Sequence, residues 1–278
     1  MKRIYILPNF ITAFGLACGL FVIFKASTME PGNLKYDAIK TSVLFLIIAA
    51  FADFIDGAIA RVFKAESEFG CIFDSLADAI SFGVAPAVLF LKSLSLEQGT
   101  YLSFIAATGA LIYSLCGVLR LARFTYLAQK AKEDDELSLS MKKNFTGLPI
   151  PGAAAGSVSI NLFLLSPFSQ FLNLSAEFKI ILLSFLMILL GYFMVSRWKF
   201  PSFKALNFKI RSFHLAFFVV ILTSFTLFGI LHYFSIVLTI LSWGYIILAI
   251  TLSIIRIVAG KKSKTLEDFE PEPEEIEL

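Results

Sequence analysis

Asp53-Phe54-Ile55-Asp56-Gly57-Ala58-Ile59-Ala60-Arg61 and Gly70-Cys71-Ile72-Phe73-Asp74-Ser75-Leu76-Ala77-Asp78 set four aspartates inside two runs that are otherwise apolar. At the centre of a membrane span each carboxylate costs about 2.5–3.5 kcal/mol, on the order of 10 kcal/mol for the four. Something must offset that cost. The pairs are spaced i,i+3 and i,i+4, so each pair occupies one helix face. A short turn near Lys64–Gly70 joins the two runs. Asp56 lies five residues before Arg61, about 7–8 Å along a helix axis. Asp74 and Asp78 lie four and eight residues beyond Gly70, so all four acids fall at similar depth, near one membrane face.

The rest of the chain makes a membrane setting necessary. Its 278 residues are 58% hydrophobic and 16% charged, with 31 Phe and a mean hydropathy of +0.81. A soluble domain carries about 25% charged residues, and no soluble shape of this length hides so much apolar surface. That excludes a soluble globular enzyme, a disordered chain and a nucleic-acid-binding domain. A span needs about 20 largely apolar residues. Eight are predicted, at 8–26, 40–63, 71–94, 99–127, 147–166, 177–196, 212–231 and 234–258, giving an all-α integral membrane protein. Gly15-x-x-x-Gly19 and Gly152-x-x-x-Gly156 suit close helix approach.

Basic residues orient the spans. With the N-terminus inside, 19 Lys and Arg fall on the inner side and 5 on the outer, so both termini are expected in the cytoplasm. From Glu267 onward the tail holds seven acids and no base; 24 bases against the other 14 acids leave +10 elsewhere. Residues 261–278 therefore read as an acidic, solvated, disordered cytoplasmic tail. Cys18, Cys71 and Cys116 give no disulfide framework, and His214 and His232 match no zinc spacing.

Carboxylates facing one another at one depth repel unless a counter-charge separates them. Divalent cations supply it, and all-oxygen ligands without His or Cys favour Mg²⁺, Mn²⁺ or Ca²⁺. Spacing alone also admits an ion or proton relay, or a purely structural set paired with Arg. Gly57 and Ala60 leave room beside the acids, Arg61 offers a fork suited to phosphate, and Ser67 and Gly70 occupy the turn. Hard metals, a phosphate-binding Arg and a small-residue floor suggest phosphoryl chemistry.

The pattern Asp53-x-x-Asp56-Gly57-x-x-Ala60-Arg61, eight residues, then Gly70-x-x-x-Asp74-x-x-x-Asp78 resembles the signature of the CDP-alcohol phosphotransferases at every position. The resemblance implies a core of six transmembrane helices that replaces CMP on a CDP-linked lipid with an alcohol. Two divalent cations, Mg²⁺ or Mn²⁺, are implied, with Asp53, Asp56 and Asp74 binding one. Asp78 would bind the second and act as general base. Gly57, Ala60, Arg61, Ser67 and Gly70 match positions that hold the CDP-lipid. Pro8-Asn9-Phe10-Ile11-Thr12 is similar to the family's N-terminal nucleotide-side segment, which adds Asn9 and Thr12; Asn9 alternatively caps the first helix. A homodimer is implied as well.

Three further stretches look like the phosphatidylserine synthase branch of that family: Arg120-Leu121-Ala122-Arg123-Phe124, Phe145–Pro151 and Ser196–Lys204. Thr125 stands where many relatives carry Asn. The resemblance implies CDP-diacylglycerol and L-serine as substrates, with Arg120 and Arg123 gripping a phosphate or the serine carboxylate. The expected organisation is a core over 1–204 with a cytoplasm-facing active site, two additional helices over 205–260, and the tail. The setting implied is a prokaryotic cytoplasmic membrane. Glycerol phosphate or inositol phosphate as acceptor, and an ion-coupled transporter built on the aspartates, are the alternatives.

Overall fold

The computed structural model describes residues 6–30, 36–63, 67–97, 99–130, 144–196, 198–201, 226 and 228–259. In chain order these form α1 (Ile6–Ser27), α2 (Tyr36–Val62), α3 (Glu68–Asp78), a π-helical turn (Ala79–Val84), α4 (Ala85–Ser93) and α5 (Tyr101–Lys130). Then come β1 (Asn144–Thr146), α6 (Ile150–Leu165), a 3₁₀ turn (Pro167–Leu172), α7 (Ala176–Val195), β2 (Lys199–Pro201) and α8 (Phe234–Ala259). α3, the π turn and α4 form one continuous apolar rod, Glu68–Ser93. With that rod, α1, α2, α5, α7 and α8 make six helices among the described residues long and apolar enough to cross a membrane. α6 is apolar but shorter, at 16 residues. The chain is an all-α integral membrane protein. Seven of the eight predicted spans coincide with these helices; the one at 212–231 lies largely outside the described residues, as does the acidic tail.

Large apolar side chains cover the outside, with Phe10, Phe104 and Phe171 among the most exposed. Lipid tails are as apolar as those side chains, so hydrophobic transfer does not drive the helices together; close van der Waals packing does. Small residues supply it. A Cβ on Gly15 would touch Ala52 at 3.4 Å, and one on Gly19 would lie 2.8 Å from Ser81 Cα, so α1 rides directly on α2 and the π turn. Gly109 of α5 meets the Ser184 backbone of α7 in the same way. Many hydroxyls within the spans turn back to their own helix, as Ser42 does to Ala38 O at 3.0 Å and Ser184 to Ile180 O at 2.7 Å, which offsets the cost of burying them.

The third span departs from the regular helix expected of it. Pro86 has no N–H to give the Phe82 carbonyl one turn earlier, and the ladder widens: Ala85 N–H reaches Ile80 O. α5 fills the gap. Tyr113 donates its hydroxyl to Phe82 O at 2.9 Å and Ser114 donates to Gly83 O at 3.0 Å. The widened turn therefore sits immediately after Asp78 and is clamped from the side.

α6 also begins later than the predicted 147. Gly147 has φ +76, in the left-handed region, and Pro149 precedes the first turn. Gly147 N–H donates to Trp198 O at 2.8 Å and Leu148 N–H to Phe193 O at 2.9 Å. β1 pairs antiparallel with β2, Phe145 opposite Phe200. Two of the three stretches singled out in the sequence, 145–151 and 196–204, are thus brought side by side.

Candidate active site

Four helices position the polar residues. α2 carries Asp53 and Asp56 on one face, and α3 enters beside it, started by Ser67, whose hydroxyl accepts from Gly70 N–H at 3.0 Å. One ligand oxygen from each of Asp53, Asp56 and Asp74 lies within 4.8 Å of the others. The carboxyls of Asp53 and Asp74 are within hydrogen-bonding reach of each other. Asp78, one turn beyond Asp74, lines the same cleft together with Thr12, Gly15, Leu16, Ala49, Ala77, Ser81 and Phe82.

α1 closes the cleft from the other side. Thr12 donates to Asp56, a carboxylate only 4% exposed, and also lies 3.1 Å from Pro8 O. Gly57 N–H gives Asp56 a second donor. Asn9 does not cap α1, which begins at Ile6. Its side chain instead reaches the start of α3, where a Cβ on Gly70 would meet Ser67 Oγ at 2.9 Å and Asn9 Oδ1 at 3.1 Å. Glycine at 70 is what lets these two polar groups converge. The Arg61 guanidinium folds back over Gly57, 3.5 Å from where a Cβ would stand, and acts electrostatically on Asp53. Ala60 lies on the same turn of α2, half-buried.

α5 brings Arg120 within electrostatic reach of Asp78. Arg120 interacts electrostatically with Asp78, with Tyr245 of α8 and with Arg123. Thr125 Oγ1 is 3.1 Å from Ser75 Oγ, tying α5 to α3. Arg197 and residues 202–204 lie outside the described residues.

The donor set suits a hard cation. It consists of carboxylate oxygens, and Asp74 Oδ1 is buried with no hydrogen-bond partner among the described residues. An acceptor left bare in this position fits a metal ion, which Asp53, Asp56 and Asp74 could hold. Ser81 Oγ, buried and without a hydrogen-bond partner in the same sense, lines the cleft too. Sequence reasoning missed Ser81 and Tyr245. Ser81 had a usable signal, standing three residues after Asp78 on one helix face; Tyr245 had none, because its place depends on how α8 docks.

Residues 5–183 match the family model described as CDP-alcohol phosphatidyltransferase. Curated relatives agree. A Bacillus subtilis protein named CDP-diacylglycerol–serine O-phosphatidyltransferase is 36% identical over 198 residues, 71% of this chain and 91% of the relative. Proteins of the same name from Helicobacter pylori (31% identical; 77% of this chain, 79% of the relative) and Methanocaldococcus jannaschii (32%; 73% and 77%) are similar over nearly the same extent.

Proposed function

The chain belongs to the CDP-alcohol phosphatidyltransferase family, and from that premise we propose that it transfers the phosphatidyl group of CDP-diacylglycerol to L-serine, giving phosphatidylserine and CMP. The observation that carries the reaction is the meeting of the α2 and α3 carboxylates in one cleft beside Thr12, with Arg61 acting on Asp53 and Asn9 at the start of α3. The acceptor rests on the names of the relatives and on the electrostatic interaction of Arg120 with Asp78 of that cleft.

In this reading Asp53, Asp56 and Asp74 hold one divalent cation and Asp78 contributes to a second, Mg²⁺ or Mn²⁺ in both cases. Bound there, the cations would neutralise pyrophosphate charge and ease the departure of CMP. Gly57, Ala60, Arg61, Ser67 and Gly70 cradle the CDP-lipid, with the Arg61 fork on phosphate oxygens and the small residues admitting the nucleotide. Asn9 and Thr12 border its other side. Arg120 and Arg123 receive the serine carboxylate or a phosphate oxygen. Asp78 takes the proton from the serine hydroxyl as that oxygen forms its bond to the lipid-bearing phosphorus. The phosphorus–oxygen bond to CMP breaks, and CMP leaves with the electron pair.

The excess of Lys and Arg on one side supports cytoplasmic termini and a cytoplasm-facing site in a prokaryotic membrane. A homodimer follows from the family resemblance. Residues 1–204 make up the catalytic core, and 205–260 add two helices. The test is direct: purified protein, labelled CDP-diacylglycerol and a panel of alcohols, scored for CMP release. Serine-dependent release is expected; release with glycerol phosphate or inositol phosphate instead would overturn the acceptor.

A further inference from the structure

α8 lies beyond residues 5–183 matched by the family model, yet it is fastened to α6 with a defined rotation. Trp243 Nε1 donates to Gly156 O at 3.1 Å and Thr239 Oγ1 to Ser159 O at 3.1 Å. Ile246 packs on Gly156, where a Cβ would lie 2.9 Å from its Cδ1. At the outer end Lys40 Nζ of α2 sits 5.8 Å from the Phe234 ring centre. So held, α8 lays the Tyr245 ring against Gly152, with 3.6 Å between Cε1 and the position of a Cβ there. Tyr245 and Asp78, on two different helices, both act electrostatically on the Arg120 guanidinium.

Arg120 needs such a second anchor. A guanidinium facing a lone carboxylate collapses onto it in a bidentate pair, which here would block the Asp78 carboxylate. Arg120 Nε is instead buried with no hydrogen-bond partner among the described residues. Buried donors are nearly always satisfied, and the Nε edge is one of those that grip a carboxylate with two parallel bonds. The bare donor thus points to an anionic ligand group.

We propose that Tyr245 is a positioning residue: its hydroxyl holds Arg120 away from Asp78 and presents the guanidinium to the anionic group of the acceptor alcohol, so that α8 completes the acceptor side of the site. The proposal rests on the serine reading for the identity of that group and on the geometry for its location.

The experiment compares wild type, Tyr245→Phe, Arg120→Lys and the double variant, all full-length in one detergent–lipid mixture. CMP release is measured against serine at saturating CDP-diacylglycerol, then the reverse, with thermal unfolding alongside. Tyr245→Phe is expected to raise KM for serine about tenfold, leaving KM for CDP-diacylglycerol and the unfolding temperature unchanged. In the Arg120→Lys background the same change is expected to add nothing, because the positioned fork is already gone. An unchanged serine KM, equal rises in both KM values, full additivity in the double variant, or a Tyr245→Phe protein that unfolds would each overturn the proposal. If the wild type releases CMP only with another anionic alcohol, the serine reading falls, and the same KM comparison with that alcohol decides the role of Tyr245. No release with any acceptor removes both.

Discussion

α1, α2 and the α3 rod meet through Gly15, Gly19, Ala49, Ala52 and Ser81, whereas α5, α6 and α7, beyond the close approach at Gly109, pack large side chains such as Tyr113, Leu148, Leu190 and Met194 between them. The first group gathers four carboxylates around a cleft; the second fills its space with side chains. Both are close-packed, but the small-residue side brings backbones together at one level and leaves the longer polar side chains one turn away with nothing to fill the gap but each other. The contrast teaches where stability was given up for chemistry. Carboxylates crowded in an apolar span are unfavourable, and only an apposed cation or donor offsets them. The filled side supplies the rigidity that keeps them apposed, Tyr113 and Ser114 clamping the π turn that follows Asp78.

That contrast can be broken most severely at the carboxylates. Asp53→Asn or Asp74→Asn is expected to abolish CMP release while the protein remains folded in its membrane; chelation should do the same to the wild type, and Mg²⁺ or Mn²⁺ should restore it. Full activity in chelator would remove the cations from the reading. Next comes Asp78→Asn, expected to slow the single-turnover rate at saturating lipid by about 10²–10⁴ while CDP-lipid still binds. A near-normal chemical rate would deny Asp78 the role of base.

Packing offers a milder and more pointed comparison. At Gly19 an added methyl meets the Ser81 backbone at 2.8 Å, but at Gly156 it meets the movable tip of Ile246 at 2.9 Å. Gly19→Ala should therefore lower stability by about 1–3 kcal/mol and kcat/KM with it. Gly156→Ala should leave kcat/KM nearly unchanged. Equal losses at both sites would mean that the two sides are not specialised. Arg61→Ala should raise KM for the CDP-lipid about tenfold with a smaller effect on kcat, since a phosphate contact made before chemistry is lost. The smallest functional effect is expected from cysteines placed at Ser138 and at Phe171, a side chain 87% exposed, in a chain freed of its native cysteines. Activity should persist, with the first labelled from the cytoplasm and the second only from outside. The reverse labelling would put the cleft on the wrong face for cytoplasmic serine.

Much of this was legible beforehand because it is written in short-range patterns. Asp53 and Asp56, or Asp74 and Asp78, share a face by helical spacing alone, and the turn between the runs dictates a common depth. Other features were harder to read. Asn9 looked equally like a cap for α1, and only the approach of α1 to α3 shows its side chain at Gly70. The π turn had a signal in Pro86, but a proline inside a span predicts a kink as readily as a widened ladder; the hydroxyls of Tyr113 and Ser114 across the interface favour the latter. The 145–151 and 196–204 stretches are some fifty residues apart, and nothing local in either indicates that they pair.

The sequence by itself determined that this chain lives in a membrane, that its acids share faces on two consecutive spans, and that they stand in the pattern of the CDP-alcohol phosphotransferase signature. Composition, a period of 3.6 residues and a fixed motif carry that information within a few turns of helix. Tertiary structure alone decided which helices touch: that α1 brings Thr12 to Asp56, and that α5 and α8 bring Arg120 and Tyr245 within electrostatic reach of one another, and Arg120 within reach of Asp78. The physical reason is the lipid itself. With apolar side chains equally at ease against tails or against one another, hydrophobicity says which segments are buried in the bilayer but not which segments meet, and that choice falls to the fit of glycines, hydroxyls and bare carbonyls that only the assembled bundle brings together.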